Sequence, residues 1–113
     1  MITEQQLIDF KKYLENKYPV LLLFELDHNV QNEQYIILGL FEIIGNNKNK
    51  GYGTKIMYEI VNFSNDYKIP IALTPTDFFN CDIDRLINFY KRFGFILNDN
   101  KNIFYEKMFY ISI

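Results

Sequence analysis

Lys48-Asn49-Lys50-Gly51-Tyr52-Gly53-Thr54 is the stretch on which the fold turns. It follows a strongly apolar run, Tyr35 to Ile44, and opens an amphipathic one, Ile56 to Phe63. A strand, a short polar loop with two glycines and a helix start together make a geometry suited to phosphate. Glycines one residue apart let the backbone turn sharply and lie close to a ligand. The free amides at the new helix N-terminus then face an anion, aided by the positive end of the helix dipole. A Gly-x-Gly pair alone is most often only a turn, so its weight depends on its surroundings.

Upstream, Thr3 and Gln6 have capping-box spacing, and Leu7, Phe10 and Leu14 recur at helical intervals. This predicts a helix from about Thr3 to Asn16, stopped ahead of Pro19. Val20 to Asp27 is short and apolar and reads as a buried strand. The polar turn His28 to Glu33 leads to a longer strand, Gln34 to Ile44, so the two form an antiparallel hairpin. Downstream, Ile56, Met57, Ile60, Val61 and Ser64 share one face of a helix running from Thr54 to about Tyr67. Ile69 to Thr74 is a short strand. Asp82 or Asp84 caps a helix carrying Leu86, Ile87, Tyr90 and Phe93, which stops at Gly94. Phe95–Leu97 and Ile103–Ile111 pair around the turn Asn98-Asp99-Asn100-Lys101. The order is α-β-β-α-β-α-β-β, with no repeat or linker, which predicts one domain over 1–113.

Composition narrows the function. Hydrophobic residues at 49% and charged ones at 23% describe a folded chain rather than a disordered one. A net charge of -2 with scattered Lys and Arg argues against nucleic acid as a partner. One cysteine, Cys81, and one histidine, His28, leave no disulfide, no cysteine zinc site and no histidine cluster. The N-terminus lacks the basic start of a signal peptide, and the apolar run Val20 to Phe24 is far shorter than the ~20 residues a membrane helix needs. The expectation is a cytoplasmic protein without membrane contact.

The glycine loop gains weight from a second motif about forty residues on. Lys48-x-x-Gly51-x-Gly53, then a helix, a strand, and a helix ending Asn88-Phe89-Tyr90-Lys91-Arg92-Phe93-Gly94-Phe95 resembles the GNAT superfamily of acyl-CoA-dependent N-acyltransferases. Its two signals are the Arg/Gln-x-x-Gly-x-Gly/Ala loop and the Phe-Tyr-x-x-x-Gly-Phe helix end. The resemblance runs from Tyr35 to the C-terminus, about two-thirds of the chain. It implies a GNAT fold, an α/β arrangement with a mixed, mostly antiparallel sheet flanked by helices.

It also implies a chemistry and its residues. Lys48, Asn49, Lys50, Gly51, Tyr52, Gly53 and Thr54 would hold the pyrophosphate of acetyl-CoA through backbone amides. Main-chain groups of Phe41 and Ile43 would pair with the pantetheine arm where the two central strands splay apart. Tyr90 falls where the family places the general acid that protonates the departing thiolate, a role suited to a phenol of pKa about 10. A primary amine, on a small molecule or a protein, would attack the thioester directly.

The chain also departs from the family pattern. The first loop position, usually Arg or Gln, is Lys48, which meets phosphate as a point charge rather than a fork. Ile83 stands where the family often has an asparagine. The usual first strand and one early helix are missing, so the acceptor side is open, completed by a partner such as a second copy in a homodimer, or lost. Glu25, Asp27, His28, Glu33, Glu42 and Asp77 all remain candidates for the general base. Cys81 reads as a passive thiol. A second reading of the same residues is a GNAT-like domain that binds CoA or a protein partner without catalysis.

Overall fold

The structure, a computed structural model, describes residues 1–45, 50–75, 82–99 and 105–112. Helix α1 (Glu4–Lys17) opens with the expected capping box. The Thr3 hydroxyl accepts from the Gln6 amide, and the Gln6 side chain accepts from the Thr3 amide. Strands β1 (Val20–His28) and β2 (Gln34–Ile43) form the expected hairpin, closed by Asn29, whose side chain accepts from the Gln31 and Glu33 amides. Helix α2 (Tyr52–Tyr67), strand β3 (Ile71–Leu73), helix α3 (Ile83–Lys91) and strands β4 (Ile96–Leu97) and β5 (Met108–Tyr110) follow in order. Asp82 caps α3 by accepting from the Asp84 amide.

The five strands make one sheet in the order β1-β2-β3-β5-β4. Among the described residues only β2 and β3 run parallel, joined by the α2 crossover. The other three pairings are antiparallel. The hairpin register slips once. Leu23 faces Leu40 but Phe24 faces Leu38, so Gly39 is an extra residue, a β-bulge in β2.

The helices cover one face of the sheet. Ile36, Leu38, Ile71, Leu73, Met108 and Tyr110 project from it into a core with Leu7 and Leu14 of α1, Ile56, Met57 and Ile60 of α2, and Tyr90 of α3. The opposite face carries Tyr35, Ile37, Ala72 and Phe109, and among the described residues no helix joins that cluster. This corrects the expectation for β1. The strand lies at the sheet's edge and is buried on one face only, with Leu21 and Leu23 45% and 50% exposed. A run of apolar residues reads as buried on both faces because composition carries no record of an uncovered face.

Helix α2 begins two residues before the expected Thr54, with Gly51 as its N-cap. It ends at Lys68, and the buried Ser64 hydroxyl donates to the Ile69 carbonyl and so ties that end to β3. Between α1 and α2 sits a polar clasp. The Tyr13 hydroxyl donates to Glu59 at 2.7 Å, and the Lys17 ammonium lies 3.4 Å from the other carboxylate oxygen. Burial pushes the Glu59 carboxyl up, but the Tyr18 and Tyr13 hydroxyls and Lys17 outweigh it and hold it below the usual glutamate value. A depressed carboxyl contributes stability that is present above its unfolded pKa and lost as acid protonates it. Glu59→Gln is therefore expected to cost about 1 kcal/mol at neutral pH. The difference from wild type should close as pH falls through the folded pKa, and urea titrations at several pH values measure this.

Candidate functional site

The start of α2 leaves its first amides without a side-chain partner. Gly51 sits in the left-handed region at φ 79°, where an L side chain would be strained although nothing lies within 4 Å of its Cβ position. That geometry turns the chain into the helix without a side-chain cap, and the first turn holds no acidic residue. The amides of Tyr52, Gly53 and Thr54 belong to the group that a helix cannot satisfy internally. Lys50 precedes the turn and Lys55 follows it. Lys48 and Asn49 lie outside the described residues.

Gly53 is the contact point of three elements. A Cβ there would lie 3.5 Å from Phe89 Cζ on α3 and 3.8 Å from Phe41 Cε1 on β2. Here β2 runs on paired with β1 but without β3 beside it. Its pairing with β3 ends at Leu38–Leu73, five residues short of Ile43. The hydrogen-bond pattern fixes which way those last residues face. The Leu22 amide points away from β2 and donates to Glu15, so its partner Phe41 sits in a non-hydrogen-bonded pair. The Ile44 amide donates back to Pro19 on the β1 side, which turns Ile43 the other way. The main-chain donors and acceptors of Phe41 and Ile43 thus face the gap beyond the end of β3.

Helix α3 closes the far side. Gly94, at φ 95°, stops the helix, and a Cβ there would press 3.1 Å from the Tyr110 ring. Phe95, 1% exposed, then plugs the core. The Tyr90 carbonyl accepts from the amides of Phe93 and Phe95, and its ring lies between those of Phe89 and Phe95, at 5.4 and 5.8 Å. Tyr90 is 8% exposed, in the cluster on which Phe41 and Phe89 pack. Much of the Phe-Tyr-x-x-x-Gly-Phe motif is therefore a structural plug.

Sequence reasoning missed the outer face of α3. Arg85, Asn88, Phe89 and Arg92, at i, i+3, i+4 and i+7, line a depression of about 540 Å³. The Arg92 guanidinium stands 5.3 Å over the Phe89 ring, whose edge meets Gly53. Through Phe89 the Arg92 guanidinium is tied to the uncapped helix start, and Arg85 lies two turns back on the same face of α3. The i, i+7 spacing of the arginines about Phe89 was available in the sequence, but alone it reads as a solvated face.

The proposed bases scatter. Glu25, Asp27 and Glu42 pair with Ile37, Tyr35 and Leu21, on the face away from the helices. His28 and Glu33 are exposed at the hairpin end. Asp77 and Cys81 lie outside the described residues. On the helix-free face Glu106, 8% exposed, accepts from Tyr35 at 3.3 Å, and burial together with that carboxylate pushes the Tyr35 phenol up to about 12. Among the described residues, no group of His, Cys, Asp and Glu could hold a metal ion, and no helix is long and apolar enough to cross a membrane.

No family model and no curated protein matches the sequence. Two solved structures match the fold. A crystal structure of the KacTA–DNA complex superposes with a TM-score of 0.53 at 20% identity, covering 82% of this chain and 57% of that one. A tyrosine-to-phenylalanine mutant of the AtaT toxin, bound to the C-terminus of the antitoxin AtaR and acetyl-CoA, superposes with a TM-score of 0.51 at 17% identity over the same shares. The chain thus spans just over half the length of either structure. The likeness establishes the GNAT-type α/β fold, a mixed five-stranded sheet with helices.

Proposed function

We propose that this chain is an N-acetyltransferase that moves an acetyl group from acetyl-CoA to a primary amine by direct attack. The observation that carries the reading is the outward turn of the Phe41 and Ile43 main chain beside the uncapped start of α2. One offers paired hydrogen bonds to a linear amide arm, the other an anion cradle, and both lie around Gly53 in the order that pantetheine and pyrophosphate need. The amides of Gly51 to Thr54, with Lys48, Asn49 and Lys50 ahead of them, would take the pyrophosphate. Arg85 and Arg92 would meet a further phosphate of the CoA nucleotide. In the transfer, the amine nitrogen bonds to the thioester carbonyl carbon, the C–S bond breaks, and Tyr90 hands its phenolic proton to the leaving sulfur. The proton shed by the new amide nitrogen passes through solvent to restore the Tyr90 phenol. Positioning and carbonyl polarisation supply most of the rate.

The bound acetyl-CoA named for the AtaT structure supports the donor assignment by shared fold. A second reading, CoA or protein binding without transfer, draws on the orientation of Glu25, Asp27 and Glu42 away from the helices. Titration calorimetry with acetyl-CoA, followed by amine-dependent thiol release, separates the two. Saturable binding with release supports the transferase, binding alone supports the second reading, and no binding removes both CoA roles. The arginine face has its own test. Arg85→Glu with Arg92→Glu is expected to weaken CoA by at least about a hundredfold and dephospho-CoA much less, because each charge-assisted contact is worth about 1.5–3 kcal/mol.

A further inference from the structure

Beside the free edge of β1 runs a groove of about 350 Å³, floored by Leu7 and Ile8 of α1 and by Phe24 and Leu26, with Glu4, Lys11 and Glu25 at its rim. The hydrogen bonds of β1 show which backbone groups look into it. Successive residues of an antiparallel strand point alternately toward and away from the neighbouring strand. The Leu22 amide points away from β2, so Val20, Phe24, Leu26 and His28 do too. Three of these five outward amides are taken. Val20 donates to the Tyr18 carbonyl, Leu22 to Glu15 and His28 to Asp27. The two that remain, Phe24 and Leu26, are the ones that line the groove, and among the described residues neither outward amide has a partner.

We propose that this groove binds an extended segment of another protein, rich in alternating apolar and basic residues, which adds to the sheet as a sixth strand. Two outward residues offer two donors and two acceptors, enough to register a strand, and the apolar floor receives every second side chain. The rim decides the charge. Lys11 is held by Glu15 at 2.8 Å, and among the described residues Glu4, Glu25 and the neighbouring Asp27 make no ion pair at the edge. The same carboxylates exclude a second copy of this chain. An antiparallel β1–β1 pair centred on Glu25 sets Glu25 against Glu25. One centred on Leu26 sets Glu25 against Asp27. One centred on Phe24 needs the Leu22 amide that Glu15 already holds. Like charges directly opposite destabilise a strand pair.

The test uses the whole chain and a capped heptapeptide, Arg-Val-Arg-Val-Lys-Val-Arg, with its Glu-for-basic counterpart as control. In the free chain the Phe24 and Leu26 amides should exchange rapidly with solvent. The basic peptide should protect both and bind saturably in the micromolar-to-millimolar range, with the acidic peptide at least about fivefold weaker. Leu26→Pro removes an outward donor together with part of the apolar floor, at an edge strand that accepts proline, and should abolish binding while the circular dichroism spectrum is kept. Glu25→Lys should weaken the basic peptide about fivefold by reversing the rim charge, and it leaves every backbone donor in place. Equal binding of the two peptides, or protection elsewhere on the chain, would overturn the proposal. So would a concentration-dependent dimer that protects Phe24 and Leu26. No arm involves acetyl-CoA, so the outcome is independent of the transferase reading.

Discussion

Gly53→Glu is expected to abolish acetyl-CoA binding while leaving the fold as stable as before. A Cβ at this position meets Phe89 at 3.5 Å, an ordinary contact, so the substitution does not begin with a clash. The residue is second in α2 after the Gly51 cap, in a first turn that holds no acidic side chain. A carboxylate there favours the helix dipole by about 0.3–1 kcal/mol and supplies the anion that the exposed amides lack. The same carboxylate occupies the pyrophosphate's place and repels its charge. Loss of two or three charge-assisted hydrogen bonds corresponds to an affinity drop of at least about a hundredfold. Thermal melting should show an unchanged or slightly raised midpoint, and calorimetry should show no heat of binding. Wild-type affinity in this variant would remove the α2 start from the cofactor site.

Tyr90→Phe should separate chemistry from binding. The ring is held between Phe89 and Phe95 and is nearly buried, so phenylalanine keeps the packing. What it removes is the proton donor. A positioned general acid contributes about 10²–10⁴-fold to such a step. Thiol release at saturating substrates is expected to fall by about a hundredfold or more, with acetyl-CoA affinity within about twofold of wild type. An unchanged rate would take Tyr90 out of the mechanism and leave it a core aromatic.

The sequence carried the element order because each boundary has a local cause. The Thr3–Gln6 capping box, the Asp82 cap and the Gly94 stop all depend on residues within four positions of each other. The start of α2 was misplaced by two residues for an equally local reason. Gly53 is a poor helix former, yet in a first turn it need make no internal hydrogen bond of its own. Long-range facts were less legible. The exposure of Leu21 and Leu23 depends on which elements flank the sheet. The joining of Arg92 to the α2 start depends on a contact between Gly53 and Phe89, thirty-six residues apart. The two glycine-containing motifs were readable because a family pattern tied them together. The arginines lie outside that pattern.

The bulge at Gly39 divides β2 into two reading frames. Ahead of it, even-numbered residues such as Ile36 and Leu38 face the helices. Beyond it, odd-numbered Phe41 and Ile43 do. A strand kept in a single frame would turn Leu40 and Glu42 toward the helices and send Phe41 to the bare side. The carboxylate of Glu42 would then face the proposed cofactor site. One extra residue, with no side chain of its own, thus decides whether an aromatic ring or a carboxylate looks toward the helices at this end of β2.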